Sequence, residues 1–240
     1  MASTIDYNNT WGQMRLRSPL AWPVWPLLVP YTANAKTRLE IGAGALPKFP
    51  IVGTYFLDTS ENAIRALEKQ GGKGVVLNAE HPFPFQQGFF DVVGAFEVLE
   101  HLEHPEKAVG EIAKVLKNNG FFLFSVPIGA RHWTAWDSLA GHVQRFEPNQ
   151  LQKILTEQKL NVECCYVLRR GSKYRFPLLH YFHTFICAII AKLPVLYYCW
   201  DICFYPYTWI LRQFTTPEYY ECLSDVPSDS LALLVICKKQ

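Results

Sequence analysis

Short apolar runs alternate with amphipathic stretches between residues 36 and 168, the pattern of βαβ units that build a parallel sheet flanked by helices. Residues 37–41 read as a strand running into Gly42-Ala43-Gly44, and residues 53–57 as a second strand ending at Asp58. Thr59 or Ser60 then caps a helix that turns Ile64 and Leu67 inward and stops at Gly71-Gly72, because a hydroxyl satisfies the free N–H groups of a helix start and glycine suits the left-handed turn at its end. Residues 74–77, 91–96 and 120–126 are three further strands. Between the last two, Pro105 suits the first helical position, and Ala108, Ile112, Val115 and Leu116 share one face, closed by Asn118-Asn119-Gly120. A helix from Pro148 buries Leu151, Ile154 and Leu155, and residues 162–168 and 231–237 are the last two strands.

The stretch separating those two strands has another character. Arg169, Arg170, Lys173 and Arg175 precede residues 176–214, where only Lys192, Asp201 and Arg212 are charged. Its longest uncharged run is 16 residues, short of the roughly 18 that mark a spanning helix. Both ends return to one sheet, so any crossing must be made twice, and Pro194 and Pro206 interrupt the path. Residues 169–229 are therefore expected to be a hydrophobic helical insertion, an interfacial or re-entrant pair whose bases meet anionic headgroups and whose aromatic rings sit at the interface. A buried helical cap and a homodimer face are the other readings of such a stretch. His180 and His183 fall on one helical side there, where a structural role is the ordinary one. Residues 1–35, with Trp22 and Trp25, form an apolar aromatic cap expected to pack beside the insertion. The whole chain, 1–240, reads as one domain whose core is residues 36–168 and 230–240.

Composition narrows the class. Half of the 240 residues are hydrophobic and 18% are charged, against a usual charged share of about 25%, which excludes a disordered chain. A net charge of +2 without a basic stripe disfavours nucleic acid as a partner. The seven cysteines are odd in number, all follow residue 163 and form no C-x-x-C pair, so neither a disulfide framework nor a zinc site is expected. Residues 1–20 show no basic segment followed by an apolar run. A cytoplasmic protein, peripheral on the membrane through residues 169–217, is the expectation.

The first candidate chemistry lies at Gly42-Ala43-Gly44. Glycines at the end of a first strand let backbone approach a ligand, and an acid at the end of the second, Asp58, can accept both hydroxyls of a ribose. A nucleotide-like ligand follows. The dinucleotide pattern G-x-G-x-x-G would place its third glycine at Pro47, which argues against a nicotinamide-dependent oxidoreductase.

Glu40-Ile41-Gly42-Ala43-Gly44, Asp58, residues 78–85, Phe90-Asp91-Val92-Val93, Glu97-Val98-Leu99-Glu100-His101-Leu102 and residues 120–127 occur in the order and spacing of class I S-adenosylmethionine-dependent methyltransferases. The chain resembles that family over residues 36–168 and 231–237, most closely its small-molecule branch, which includes quinone-ring methyltransferases. The resemblance implies a Rossmann-like α/β fold, with a seven-stranded sheet, helices on both faces and the last strand antiparallel. It implies S-adenosyl-L-methionine as cofactor, with Gly42, Ala43 and Gly44 beneath the methionine portion, Glu40 toward its ammonium, Asp58 and Thr59 at the ribose, Asn78 and Ala79 at the adenine edge, and Glu97 alongside. Asn78 departs from the family, which usually has Asp there, and Leu46 stands where many members have a third glycine.

Methyl transfer is an in-line displacement at a sulfonium carbon, so the protein must align the acceptor and exclude water. A hydroxyl acceptor also needs a base. His142, in a His-x-x-x-Phe segment that this branch commonly carries on its acceptor side, is the first candidate, with a structural histidine as the plainer alternative. His101 is the second, and His132, Trp133, Trp136 and Asp137 share the loop of His142. Glu97, Glu100 and His101 also resemble the metal ligands of some quinone and small-RNA methyltransferases. They would suit Mg2+ on a phenolate, although a metal-free scaffold is the favoured reading. The expected function is methyl transfer to a small, hydrophobic, quinone-like or lipid acceptor near a membrane. A non-catalytic cofactor-binding module that docks to a membrane or protein partner is the runner-up.

Overall fold

The computed structural model describes residues 16–22, 24–170 and 217–240. β1 (Arg38–Ile41), β2 (Tyr55–Asp58), β3 (Lys73–Val76), β4 (Phe90–Phe96), β5 (Leu116–Pro127), β6 (Leu160–Arg170), β7 (Glu218–Tyr220) and β8 (Ser230–Lys239) form one sheet. Their order is β3-β2-β1-β4-β5-β8-β6-β7. The first five strands are parallel, while β8 runs antiparallel between β5 and β6. Five helices accompany them among the described residues: α1 (Trp25–Thr32), α2 (Glu61–Glu68), α3 (Pro105–Val115), α4 (Ala135–Ala140) and α5 (Pro148–Glu157). Strand order reverses at β1, and a ligand crevice opens at the carboxyl ends of strands around such a switch point.

Alternation along the central strands fills both faces. Phe122 and Phe124 of β5 pack with Val93, Ala95 and Val235 against Ala108 and Ile112 of α3 and Leu151 and Leu155 of α5. Leu123 points to the opposite face, where it joins Val92, Phe96, Leu234, Ile236, Phe49 and Leu28 of α1. Side chains buried on both faces explain why β4 and β5 read as continuous apolar runs rather than alternating ones. Trp22 meets the Phe96 ring edge-on at 5.3 Å, so the N-terminal aromatic segment covers one face of the sheet. Ser60, and not Thr59, caps α2, its Oγ accepting from Ala63 N at 3.2 Å.

The sheet has eight strands where seven are expected. The additional β7 falls inside residues 169–229, read from sequence as helical, and pairs with the outer edge of β6 through Cys165, Tyr166 and Val167. Three residues are too few for a periodicity to declare itself, and only the neighbouring strand edge makes them a strand. Leu116 is likewise corrected: it is extended (φ −70°, ψ 138°) and begins β5, so α3 ends at Val115 and Asn118-Asn119-Gly120 lie within the strand. A leucine is buried equally well at the end of a helix or the start of a strand, and spacing alone does not separate the two. The apolar run 176–214 and the helical pair expected there, with His180, His183, Cys187, Cys199 and Cys203, lie outside the described residues. Among the described residues no helix is long and apolar enough to cross a membrane, and Cys164, Cys165, Cys222 and Cys237 are free thiols.

Candidate active site

The turn after β1 sits at the switch point and is built from two left-handed glycines, Gly42 (φ 64°) and Gly44 (φ 52°). A Cβ on Gly42 would lie 2.6 Å from Val98 Cγ2, so this backbone packs directly on the loop that follows β4. Asp58, at the end of β2, is buried at 5% exposure. Its Oδ2 accepts from Gly44 N at 2.9 Å and its Oδ1 from Ser60 N at 2.8 Å. Burial raises this carboxyl above its ordinary value against those hydrogen bonds. Asp58 thus ties the glycine turn to the start of α2.

Glu40 lies beneath the same turn, 1% exposed. It accepts from Lys48 N (2.8 and 3.1 Å) and Phe49 N (2.8 Å). Burial pushes its carboxyl up to about 7, opposed by the Lys48 charge and the two backbone donors and reinforced by Asp58. Thr59 is exposed beside Asp58, and Ala79 is buried beyond the end of β3. Asn78 Oδ1 accepts from Glu80 N at 2.9 Å, a local turn that fixes its side chain. These residues lie at or beyond the carboxyl ends of β1, β2 and β3.

Glu97 follows β4 with a left-handed backbone (φ 56°), a strained conformation for a residue other than glycine. Its N–H donates to Ser125 O at 3.0 Å, and Ser125 Oγ donates to its Oε1 at 2.7 Å. The carboxylate is exposed. The kink turns the chain into a 3-10 turn, Leu99–His101, and drives Glu100 inward to 0% exposure. Neither Glu100 oxygen finds a hydrogen-bond partner among the described residues. Burial, then the negative charge of Glu97, raises this carboxyl well above its ordinary value.

The loop from Gly129 to Phe146 closes over that turn. Val143 N donates to Glu100 O at 2.9 Å, and Gln144 Nε2 donates to Leu102 O at 2.9 Å. His142, with an 8% exposed side chain, places Nε2 3.9 Å from Glu100 Oε1, and its ring meets that of His101 edge-on at 4.8 Å. His101 Nδ1 lies 3.2 Å from the Gly141 carbonyl oxygen, and burial, with His142 adjacent, lowers its pKa. Glu100, His101 and His142 offer ligand atoms within 4.8 Å of one another. The acceptor-side cluster therefore contains Glu100 and His101 of the expected set, but takes His142 in place of Glu97. The sequence brackets these positions some 40 residues apart, and only the loop's return over β5 brings them together.

Asp137 and Arg145 stand behind this cluster, joined to it through His142. Asp137 is fully buried. It is clamped by Arg145, whose Nε donates to Oδ1 at 2.8 Å and Nη2 to Oδ2 at 2.9 Å. Thr134 N and Oγ1 each donate to Oδ2 at 2.7 Å. Burial pushes the carboxyl up, but the bonds from Arg145, Thr134 and His142 outweigh it and hold it at about 2. Helix α4, not among the elements expected from the sequence, starts at a capping box of Thr134 and Asp137, a spacing that could have marked it. Trp133, Trp136 and Val143 belong to the same loop and are 42%, 41% and 49% exposed.

Residues 39–124 match the model of a methyltransferase domain. No curated protein sequence matches the chain. Among solved structures, a S-adenosylmethionine-dependent methyltransferase from Thermotoga maritima superposes with a TM-score of 0.58 at 11% identity, covering 92% of this chain and 89% of its own. The cyclase SpnF superposes at 0.59 and 15% identity, covering 95% and 83%. The geranyl diphosphate C-methyltransferase of Streptomyces coelicolor A3(2), solved with Mg2+, geranyl diphosphate and S-adenosyl-L-homocysteine, superposes at 0.57 and 10% identity, covering 90% and 78%. At such identities the likeness is one of fold, and a cyclase among the neighbours shows that the fold alone does not name a reaction. The glycine turn and Asp58 lie within the stretch that matches a methyltransferase domain, and the fold is the one shared with the S-adenosylmethionine-dependent methyltransferase structures it superposes on.

Proposed function

We propose that the protein transfers the methyl group of S-adenosyl-L-methionine to a hydroxyl of a small hydrophobic acceptor, a quinone-like ring or a lipid. The observation that carries this reading is the contact of two half-sites: Val98 packs on Gly42 of the cofactor turn, and two residues later Glu100 faces His142. Glu40, Gly42, Ala43, Gly44, Asp58, Thr59, Asn78, Ala79 and Glu97 make the cofactor side. His142, with His101 beside it, makes the acceptor side. The acceptor oxygen attacks the methyl carbon as the C–S bond breaks, the electron pair returns to sulfur to leave the thioether S-adenosyl-L-homocysteine, and the hydroxyl proton passes to His142 Nε2. Trp133, Trp136 and Val143 at the rim suit an apolar acceptor. The basic and aromatic composition of residues 169–217 supports delivery from a membrane surface.

A second reading is favoured by the unpartnered buried oxygens of Glu100. Glu100, His101 and His142 would hold a divalent cation, Mg2+ or a softer ion, which when bound polarises the acceptor oxygen. Each imidazole presents one nitrogen to an outer acceptor, Asp137 or the Gly141 carbonyl, as metal-binding histidines do.

Calorimetric titration with S-adenosyl-L-methionine and S-adenosyl-L-homocysteine, with NADH as control, tests the cofactor. Binding of the first two alone is expected. Asp58→Ala is expected to weaken it by roughly 10- to 100-fold, the worth of hydrogen bonds to a charged group, while His142→Ala leaves it within a few-fold and lowers turnover on a panel of alkyl phenols and hydroquinones. Equal effects of both variants on binding overturn the division of roles. A melting temperature unmoved by Mg2+, Mn2+ or EDTA removes the cation reading.

A further inference from the structure

Asp137 lies outside both half-sites as far as any ligand is concerned, and the hydrogen bonds around it are more than the fold of a six-residue helix requires. Both oxygens accept from Arg145, and one accepts two more bonds from Thr134. Every partner of this carboxylate is a donor, so it acts only as an acceptor. His142 Nδ1 stands 2.9 Å from Oδ1, and across that contact the proton must lie on nitrogen. The tautomer of the neutral ring follows: with hydrogen on Nδ1, its lone pair lies on Nε2, the nitrogen that faces Glu100.

The alternative tautomer would set the Nδ1 lone pair against the Asp137 carboxylate. In the low-polarity surroundings of a buried group such a mismatch is costly. His142 is also held through its backbone, its N–H donating to Asp137 O at 2.9 Å. The residue is therefore fixed at both ends by the same partner, and the ring cannot turn without breaking a bond to an immobilised acceptor. Arg145 Nη1 anchors the clamp to the Ile128 carbonyl at 3.3 Å, at the end of β5, so the sheet itself sets where Nε2 points.

We propose that Asp137 is a positioning residue of the transferase: clamped by Arg145, it fixes the tautomer and orientation of His142 so that the Nε2 lone pair is turned to the Glu100 side, where the acceptor is proposed to bind. The proposal rests on the reading of His142 given above, and holds whether that nitrogen takes a proton or a cation. The effect of Asp137 is confined to the imidazole.

The test is Asp137→Asn in the full chain bound to S-adenosyl-L-homocysteine, read by 15N spectroscopy of the histidine rings, with His142→Gln used only to assign the resonance. The isosteric amide can donate to Nδ1, so His142 is expected to change to the tautomer with hydrogen on Nε2. Turnover on the most active phenol of the panel is expected to fall by about 10²- to 10⁴-fold, the range seen when an acid that orients a catalytic histidine is amidated, with cofactor affinity unchanged. Thr134→Ala removes the Oγ1 bond to the same carboxylate, leaves the backbone N–H bond, and removes none to His142; it is expected to lower the melting temperature while keeping tautomer and turnover. An unchanged tautomer in Asp137→Asn, or a matching loss of turnover in Thr134→Ala, overturns the proposal in favour of a structural role. Failure of the parent reading looks different: His142→Ala would then turn over normally even where Asp137→Asn flips the tautomer, and the positioning role falls with it.

Discussion

At the scale of single residues, the cofactor side depends on the absence of atoms as much as on their presence. Gly42 has φ 64°, and a Cβ there would meet Val98 Cγ2 at 2.6 Å. Gly42→Ala is expected to reduce S-adenosyl-L-methionine affinity at least tenfold by calorimetry, since left-handed backbone alone costs an alanine about 1–2 kcal/mol. Adding Val98→Ala should recover part of that loss and no more, because it removes the collision but leaves the backbone strain. The glycine turn and Asp58 were legible from residue type and order alone. The left-handed backbone of Glu97 was not, since nothing in the residue type signals it; Ser125, which holds it, comes from a different strand.

At the scale of elements, α1 shows how a segment that reads as irregular becomes part of the core. It contains Pro26 and Pro30 and has no side-chain cap, so local propensity gives it little support. Leu28 is nonetheless fully buried with Phe49, Leu123 and Ile236. Leu28→Ala is expected to destabilise the protein by about 2–5 kcal/mol in denaturant unfolding, the usual cost of a leucine-sized cavity; a loss below about 0.5 kcal/mol would mean that the aromatic cap is an ornament on an independent core. The strands and α2, α3 and α5 could be traced in the sequence because each satisfies its own periodicity. Helix α4 and β7 could not be traced that way, the one being six residues long and the other three.

Across the whole molecule, buried and clamped carboxyls set opposite limits on pH. Asp91 accepts from Thr37 N at 2.8 Å and pairs with Lys117 at 2.6 Å, joining the starts of β1, β4 and β5. Burial raises its carboxyl, but the Lys117 and Thr37 bonds prevail and hold it at about 2. Its contribution to stability is present above the ordinary aspartate pKa and is lost as pH falls toward 2. Glu40 behaves in the reverse sense: with its folded pKa pushed up to about 7, its contribution is complete below about 4.5 and is lost as pH rises through 7. The melting temperature of the cofactor-free protein should therefore decline between about pH 5 and 8, and Glu40→Gln should flatten that decline; an unaltered slope would show that Glu40 is ionised throughout. By itself the sequence determined the parallel core, the glycine turn after the first strand and the acid that ends the second, because strand periodicity, glycine turns and strand-end acids are properties of neighbours along the chain. The edge strand β7, the burial of Glu100 and the meeting of His101, His142, Asp137 and Arg145 were decided only in three dimensions. Each depends on how a loop closes over the sheet, and that closure is set by hydrogen bonds between residues tens of positions apart.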